Sequence, residues 1–193
     1  LMESGSGERG IFNREASVKQ AAKNGRRESC YEFGTNPCSE IILRPNQFCN
    51  LTEVVIRAND SLEDLTRKVR LATILGTIQS TYTKFPYLRK VWTTNTEAER
   101  LLGVSLTGIM DNKLMTTANA GLADTLEHLK NVAVSTNAEW ADRLGIPHST
   151  AITCVKPSGT VSQLVDSSSG IHARHSPYYI RTVRGDNKDP LTA

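Results

Sequence analysis

The stretch Gly34-Thr35-Asn36-Pro37-Cys38-Ser39-Glu40-Ile41-Ile42-Leu43 sets an amide, a thiol and a carboxyl group two residues apart. In an extended or tight-loop backbone, residues spaced by two point the same way, so Asn36, Cys38 and Glu40 are predicted to face one small substrate. Gly34 and Pro37 argue for a shaped loop and against a helix interior. Pro37 also biases Asn36 towards extended geometry. The chemistry on offer is a sulfur, an acid/base and a hydrogen-bonding amide. From these residues alone two readings stay open: a loop facing a substrate, or a buried loop cysteine with incidental polar neighbours.

Working outward, residues 41–43 suit a buried strand, stopped by Arg44-Pro45-Asn46. Upstream, residues 15–23 have helix-forming composition. Asn24-Gly25 breaks that helix, and Arg26-Arg27-Glu28 is predicted to be a charged turn facing solvent. Downstream, the β-branched residues 52–56 read as a strand. Asp60-Ser61-Leu62-Glu63-Asp64 has the cap and first-turn acids of a helix start. Leu62, Leu65, Val69, Ala72 and Leu75 follow as its apolar stripe, to about Thr81, and Phe85-Pro86 closes it. A second helix is predicted from Asn95 until Gly103, then a strand over 104–109. Residues 117–140 read as a helix with Leu122, Leu126, Leu129 and Ala133 along one face. His128, within it, is read as a surface or hydrogen-bonded group. A short strand over 151–155 precedes Pro157-Ser158-Gly159-Thr160-Val161-Ser162, and residues 177–184 alternate like a further strand. Strands alternating with helices favour an α/β fold with parallel strands.

With 38% hydrophobic and 22% charged residues, the chain has the composition of an ordinary folded protein. Its net charge of +3 comes without a dense basic stripe, so nothing argues for a nucleic-acid polymer as partner. No apolar run reaches the length of a membrane span and the start lacks a secretion pattern, which makes a cytoplasmic location the default. The four cysteines, at 30, 38, 49 and 154, show no Cys-x-x-Cys spacing and no neighbouring histidine cluster, so no metal site is predicted. They are expected to be free thiols, with Cys30 structural and Cys154 in the core. Cys49 lies eleven residues past Cys38 across a turn, which allows two sulfurs to enter one pocket. The alternative for Cys49 is a small core residue.

Residues 156–162 place a Gly-containing turn and hydroxyls between a strand and a helix. Exposed backbone N–H groups there favour an anion, and Ser158, Gly159, Thr160 and Ser162 are the candidate phosphate-binding residues. The spacing is not that of a Walker loop. Lys156 either adds charge to this turn or points away. Ser167-Ser168-Ser169-Gly170-Ile171-His172 reads as a second tight loop beside it.

The segment 36–43 closely resembles the finger loop of ribonucleotide reductases, in particular their adenosylcobalamin-dependent (class II) branch. Three more stretches resemble the same family and follow its order: Gly7-Glu8-Arg9-Gly10-Ile11-Phe12-Asn13-Arg14, Gly103-Val104-Ser105-Leu106-Thr107-Gly108, and Lys156-Pro157-Ser158-Gly159-Thr160-Val161-Ser162. The resemblance implies a ten-stranded α/β barrel with a finger loop, residues 34–43, threaded through its centre. Residues 1–193 would be part of that catalytic barrel: the family's chains are several times longer, and the sequence ends at Thr192-Ala193 without an evident stop element. The implied reaction converts ribonucleotides to 2′-deoxyribonucleotides, with adenosylcobalamin as cofactor. Cys38 would carry a thiyl radical, Glu40 would act as general base and Asn36 would hold the substrate hydroxyls. Cys49 would belong to a reducing pair whose other cysteine lies outside the chain. The implied partners are the ribonucleotide, the remainder of the reductase chain and a thioredoxin-like reductant, and the fragment is not expected to turn over alone. A class I large-subunit fragment is the nearest rival, disfavoured by the short Cys38–Cys49 spacing and the Pro-Ser-Gly-Thr turn. A glycyl-radical enzyme would be expected to carry a glycyl-radical motif, which is not visible. An inert nucleotide-binding fragment is the non-enzyme rival.

Overall fold

Asn13 starts the first helix: its side chain accepts from the Ala16 N–H at 2.9 Å and caps helix α1 (Arg14–Ala22). The computed structural model describes residues 3, 5, 10–117, 120–180 and 182–192, with Ala120 described in its backbone only. Residues 7–9 of the first family-like stretch and Arg181 of the expected 177–184 strand lie outside the described residues. After α1, strands β1 (Gly34–Thr35) and β2 (Ile42–Leu43) pair antiparallel as a short hairpin.

The scaffold that carries this hairpin is parallel. Strand β3 (Asn50–Val55) leads into helix α2 (Leu62–Gln79), which Ser61 and Asp64 start with a reciprocal capping box. Helix α3 (Lys90–Glu99) follows, then strand β4 (Leu102–Thr107), which pairs parallel with β3 from Asn50↔Leu102 to Val55↔Thr107. A 3₁₀ turn (Ile109–Asp111) and helix α4 (Lys113–Thr116) lead to the long helix α5 (Ala120–Leu144). Residues 151–154 then return beside β4, where Val104 and Thr153 form a parallel bridge and Cys154 N–H donates to Val104 O at 3.1 Å. Helix α6 (Thr160–Leu164) is the last regular element among the described residues.

Alternation along the strands separates two faces. Val54, Leu102, Val104 and Ile152 form the core with Leu65, Val69 and Ala72 of α2 and Leu129 and Ala133 of α5. The opposite face holds Leu51, Gly103 and Cys154, and here the hairpin docks. A Cβ on Gly103 would run into Leu51 Cδ2 and lie 3.1 Å from Ile41 Cδ1 and 3.2 Å from Cys154 Sγ. Gly103 is therefore the gap that lets Ile41 reach the sheet. Gly103→Ala in the complete protein should cost about 1–3 kcal/mol by overpacking, read as a lower denaturant midpoint at unchanged slope. An unchanged midpoint would mean that Leu51 and Ile41 repack freely.

Several expectations are corrected. The charged turn at 26–28 is not all solvated: Arg27 is buried and forks onto Glu99, with 2.8 Å from Nε to Oε1 and from Nη2 to Oε2. Arg44 and Gln47 reach the same carboxylate at 2.9 and 2.6 Å, while Arg27 Nη1 donates to Ile42 O at 2.9 Å. This paired cluster ties the hairpin base to α3. The α2 stripe is narrower than its spacing implied: Leu62 and Leu75 are exposed, while Thr73, Gly76 and Thr77 are buried. Leu126 of α5 is also exposed. Helix α3 begins at Lys90, five residues before the expected start, and ends at Arg100 in the left-handed region, leaving Gly103 inside β4. No strand forms among the described residues of 177–184.

Candidate active site

Pro37 occupies the second position of a turn that Ser39 N–H closes onto Asn36 O at 3.0 Å, a position that proline's fixed φ favours. Ser39 then takes a positive φ of 64°, and the chain turns back into β2. The loop is shaped as expected, but Cys38 and Glu40 do not share the expected single face. The turn throws Cys38 out to the exposed tip, while Glu40 folds back with its side chain only 1% exposed. Asn36 stays half-buried and accepts the Ile41 N–H on Oδ1 at 3.1 Å, so its Oδ1 holds the loop while its amide N–H₂ faces the Glu40 carboxylate.

Glu40 meets a partner from far along the chain. Lys156 Nζ lies 2.8 Å from Glu40 Oε1, and the other oxygen, Oε2, is buried with no hydrogen-bond partner. Burial pushes the carboxyl up, but the Lys156 ammonium, Glu40's own backbone N–H and the Asn36 amide together outweigh it and hold it below its ordinary value. The Lys156 ammonium is raised in turn by that hydrogen bond, with smaller contributions from the nearby Cys38 and Cys154 sulfurs. Glu40 also borders a cleft of about 400 Å³ between the hairpin, α1 and residues 150–153.

The other thiols divide by position. Cys49, half-buried just before β3, is raised by burial and by the Glu40 charge, so it stays protonated at neutral pH. Cys154 is half-buried and pushed up to about 12, first by burial, then by Glu40 and Cys49. The sequence placed Cys154 in the core; it flanks the site. Cys49 lies just before β3 and Cys154 just after the Val104–Thr153 bridge, on opposite sides of β4, so two inter-strand spacings put their backbones about 10 Å apart or more. That exceeds the ~7 Å limit for a disulfide without backbone movement. Cys30, expected to be structural, is exposed.

The 156–162 segment packs beside this pair. Ser158 is buried with an unpartnered hydroxyl, Gly159 caps α6 without a side-chain bond, and Thr160 is exposed at the first helical position. Ser162 is buried, and its hydroxyl donates to Gly159 O at 2.8 Å, so it is engaged within the loop. The second serine loop locks onto the end of β4: Gly108 takes φ 77°, donates to Ser168 O at 2.9 Å, and Gly170 N–H donates to Thr107 Oγ1 at 2.8 Å. Asp111 and Arg174 clamp the same loop, with Asp111 accepting the Ser168 N–H at 2.8 Å. His128 is exposed, with Nε2 3.0 Å from Thr66 Oγ1, remote in role from these groups. The residue that sequence reasoning left undecided was Lys156. Its signal was its place beside the phosphate-type turn, but no local pattern pointed it at Glu40.

Together these groups make a thiol–carboxylate site on a hairpin, set against the open face of a parallel α/β sheet. No family model matches the chain. It is 30% identical over 96% of its length to the adenosylcobalamin-dependent ribonucleoside-triphosphate reductase of Lactobacillus delbrueckii subsp. bulgaricus, and 31% over 96% to that of Levilactobacillus brevis. A probable adenosylcobalamin-dependent ribonucleoside-triphosphate reductase of Dictyostelium discoideum is 32% identical over 79% of the chain and 20% of its own length. The fold is similar to the crystal structure of a B-12 dependent (class II) ribonucleotide reductase, with a TM-score of 0.61 and 25% identity over 72% of this chain and 22% of that one. The chain belongs to the adenosylcobalamin-dependent ribonucleoside-triphosphate reductase family. It spans 29% of the length of the Lactobacillus delbrueckii relative and 28% of the Levilactobacillus brevis one.

Proposed function

We propose that residues 1–193 form part of the catalytic barrel of an adenosylcobalamin-dependent ribonucleotide reductase, with residues 34–43 as the finger loop of a ten-stranded α/β barrel. The observation that carries this reading is the pairing of an exposed Cys38 with a buried Glu40 whose Oε2 is unpartnered. The substrate is a ribonucleotide, a ribonucleoside triphosphate by analogy with the named relatives. Adenosylcobalamin fits because the Cys38 thiol, with Pro37 and Ser39 beside it, is open to a group approaching from outside the chain. When bound, that cofactor supplies the radical that oxidises Cys38 to a thiyl.

The residues of the chain divide the remaining work. The Cys38 thiyl takes the 3′ hydrogen of the ribose, and Glu40 takes the 3′-hydroxyl proton on Oε2. Asn36 orients the substrate hydroxyls through its amide N–H₂. The 2′-hydroxyl leaves as water. Cys49 and a cysteine outside the chain supply two electrons and two protons and end as a disulfide, while Cys38 returns its hydrogen to C3′ and Glu40 returns its proton to the 3′ oxygen. A thioredoxin-like dithiol then reduces that disulfide by exchange. Cys49 suits the donor role because its proton is retained at neutral pH. Ser158, Gly159 and Thr160 take the substrate phosphates, with Ser162 holding the loop.

The test is turnover by the complete protein supplied with adenosylcobalamin, a ribonucleoside triphosphate and a dithiol. Deoxynucleotide that disappears when the cobalamin is omitted supports the reading. Turnover that instead requires a radical-bearing second subunit would assign the chain to class I. The phosphate assignment is tested separately with Thr160→Val, which removes one donor to a charged group, a bond worth about 1.5–3 kcal/mol. Substrate affinity by calorimetry should fall about ten- to a hundredfold. An unchanged affinity would move the phosphates elsewhere.

A further inference from the structure

Lys156 joins two parts of the site that the sequence holds far apart. Its ammonium crosses to Glu40 Oε1 at 2.8 Å, a contact spanning 116 residues of chain. Its backbone begins the 157–160 turn, and a Cβ on Gly170 would lie 3.1 Å from Lys156 O, so the second serine loop packs on the same segment. An ionised carboxylate with its side chain 1% exposed is costly unless a charge or several donors compensate it. Lys156 is the cation that meets Glu40 among the described residues. The other titratable groups close to it are the thiols of Cys38, Cys49 and Cys154, none of which carries positive charge. Lys23, Arg26, Arg27, Glu127 and Lys130 line the same cleft; Arg27 is already paired with Glu99, and Lys130 with Glu127.

We propose that Lys156 is a positioning residue for the reaction: it keeps Glu40 ionised with Oε1 occupied and Oε2 free, and ties that state to the loop that takes the substrate phosphates. The inference rests on reading Glu40 as the general base. With one oxygen held by the ammonium, the proton from the substrate has a single oxygen to go to. Lys156 itself keeps its proton through neutral pH, so it contributes charge and orientation rather than acid catalysis. This separates it from a phosphate ligand, whose loss would weaken binding and leave the base untouched.

The experiment uses the complete reductase carrying Lys156→Met, Lys156→Gln, Lys156→Arg or Glu40→Gln. Three readouts are compared: the pH at which the Glu40 carboxyl protonates, the pH profile of kcat/KM, and nucleotide Kd by calorimetry. The first is read by infrared difference spectroscopy, with the band assigned by its loss in Glu40→Gln. Removing the cation disfavours the carboxylate, so in the Met and Gln variants Glu40 should protonate at higher pH. The acid limb of the profile should move the same way, with kcat at pH 6 down at least about tenfold and Kd changed less than threefold. The Arg variant should restore the limb. An unmoved infrared titration in a folded Met or Gln variant overturns the proposal, as does a loss confined to Kd. Normal turnover by Glu40→Gln would instead overturn the general-base reading, and the infrared titration would still decide whether Lys156 sets the ionisation of Glu40.

Discussion

Cys38→Ser in the complete protein is expected to form no deoxynucleotide, even in a single turnover with fresh reductant. An alkoxyl radical is much harder to generate than a thiyl, so the 3′ hydrogen stays on the ribose. Cys49→Ser should fail differently. Its Cys38 is intact and exposed at the hairpin tip, so the substrate radical still forms. What is lost is the neighbouring hydrogen donor, and the unreduced sugar radical should break down and release free base. Ribose tritiated at the 3′ position, followed for tritium release and base release together, separates the two. Tritium release by the Cys38 variant, or normal product through repeated turnovers by the Cys49 variant, would reverse the assignment. Cys154 does not substitute for the missing partner thiol, because the strand between it and Cys49 holds their backbones too far apart for a disulfide.

Glu40→Gln should keep nucleotide binding and lose about a hundredfold or more of turnover, the usual cost of removing a general base. Glutamine preserves the volume and can accept from Lys156, so the loss reports chemistry more than collapse of the loop. The variant also carries a stability signature. Glu40 titrates below its ordinary value in the fold, so its contribution is present above the unfolded carboxyl value and fades as pH falls through the folded one. Lys156 is raised, so its contribution is present below the unfolded ammonium value and fades as pH rises through the folded one. The deficit of Glu40→Gln relative to the parent should therefore be largest near neutral pH and shrink below about pH 4. Denaturant midpoints at several pH values measure it. A deficit that is the same at acidic and neutral pH would mean that the ion pair contributes nothing to folding. Near-normal turnover would hand the base role to another residue.

Whatever could be decided within a few residues was legible in the sequence. Ser61 and Asp64 announce the start of α2 because a capping box is a contact between residues three apart. The β-branched run at 52–56 sits on β3, and the parallel α/β arrangement follows from strands separated by helix-length segments. The motif at 36–43 named the thiol, the carboxylate and the family. Where no local contact marks an element, the reading slipped: α3 begins after Arg89, which makes no side-chain cap, so nothing flagged Lys90 as its start. The burial of Arg27 depends on a carboxylate 72 residues away, and Leu75 is exposed because α2 presents a face that also buries Thr73 and Thr77. The site itself was decided in the same way. The order of residues established that Cys38 and Glu40 are neighbours. The local turn closed by Ser39 puts Cys38 at an exposed tip; only the tertiary structure could bury Glu40 against Lys156, because that depends on residues 151–156, from far along the chain, arriving beside β4.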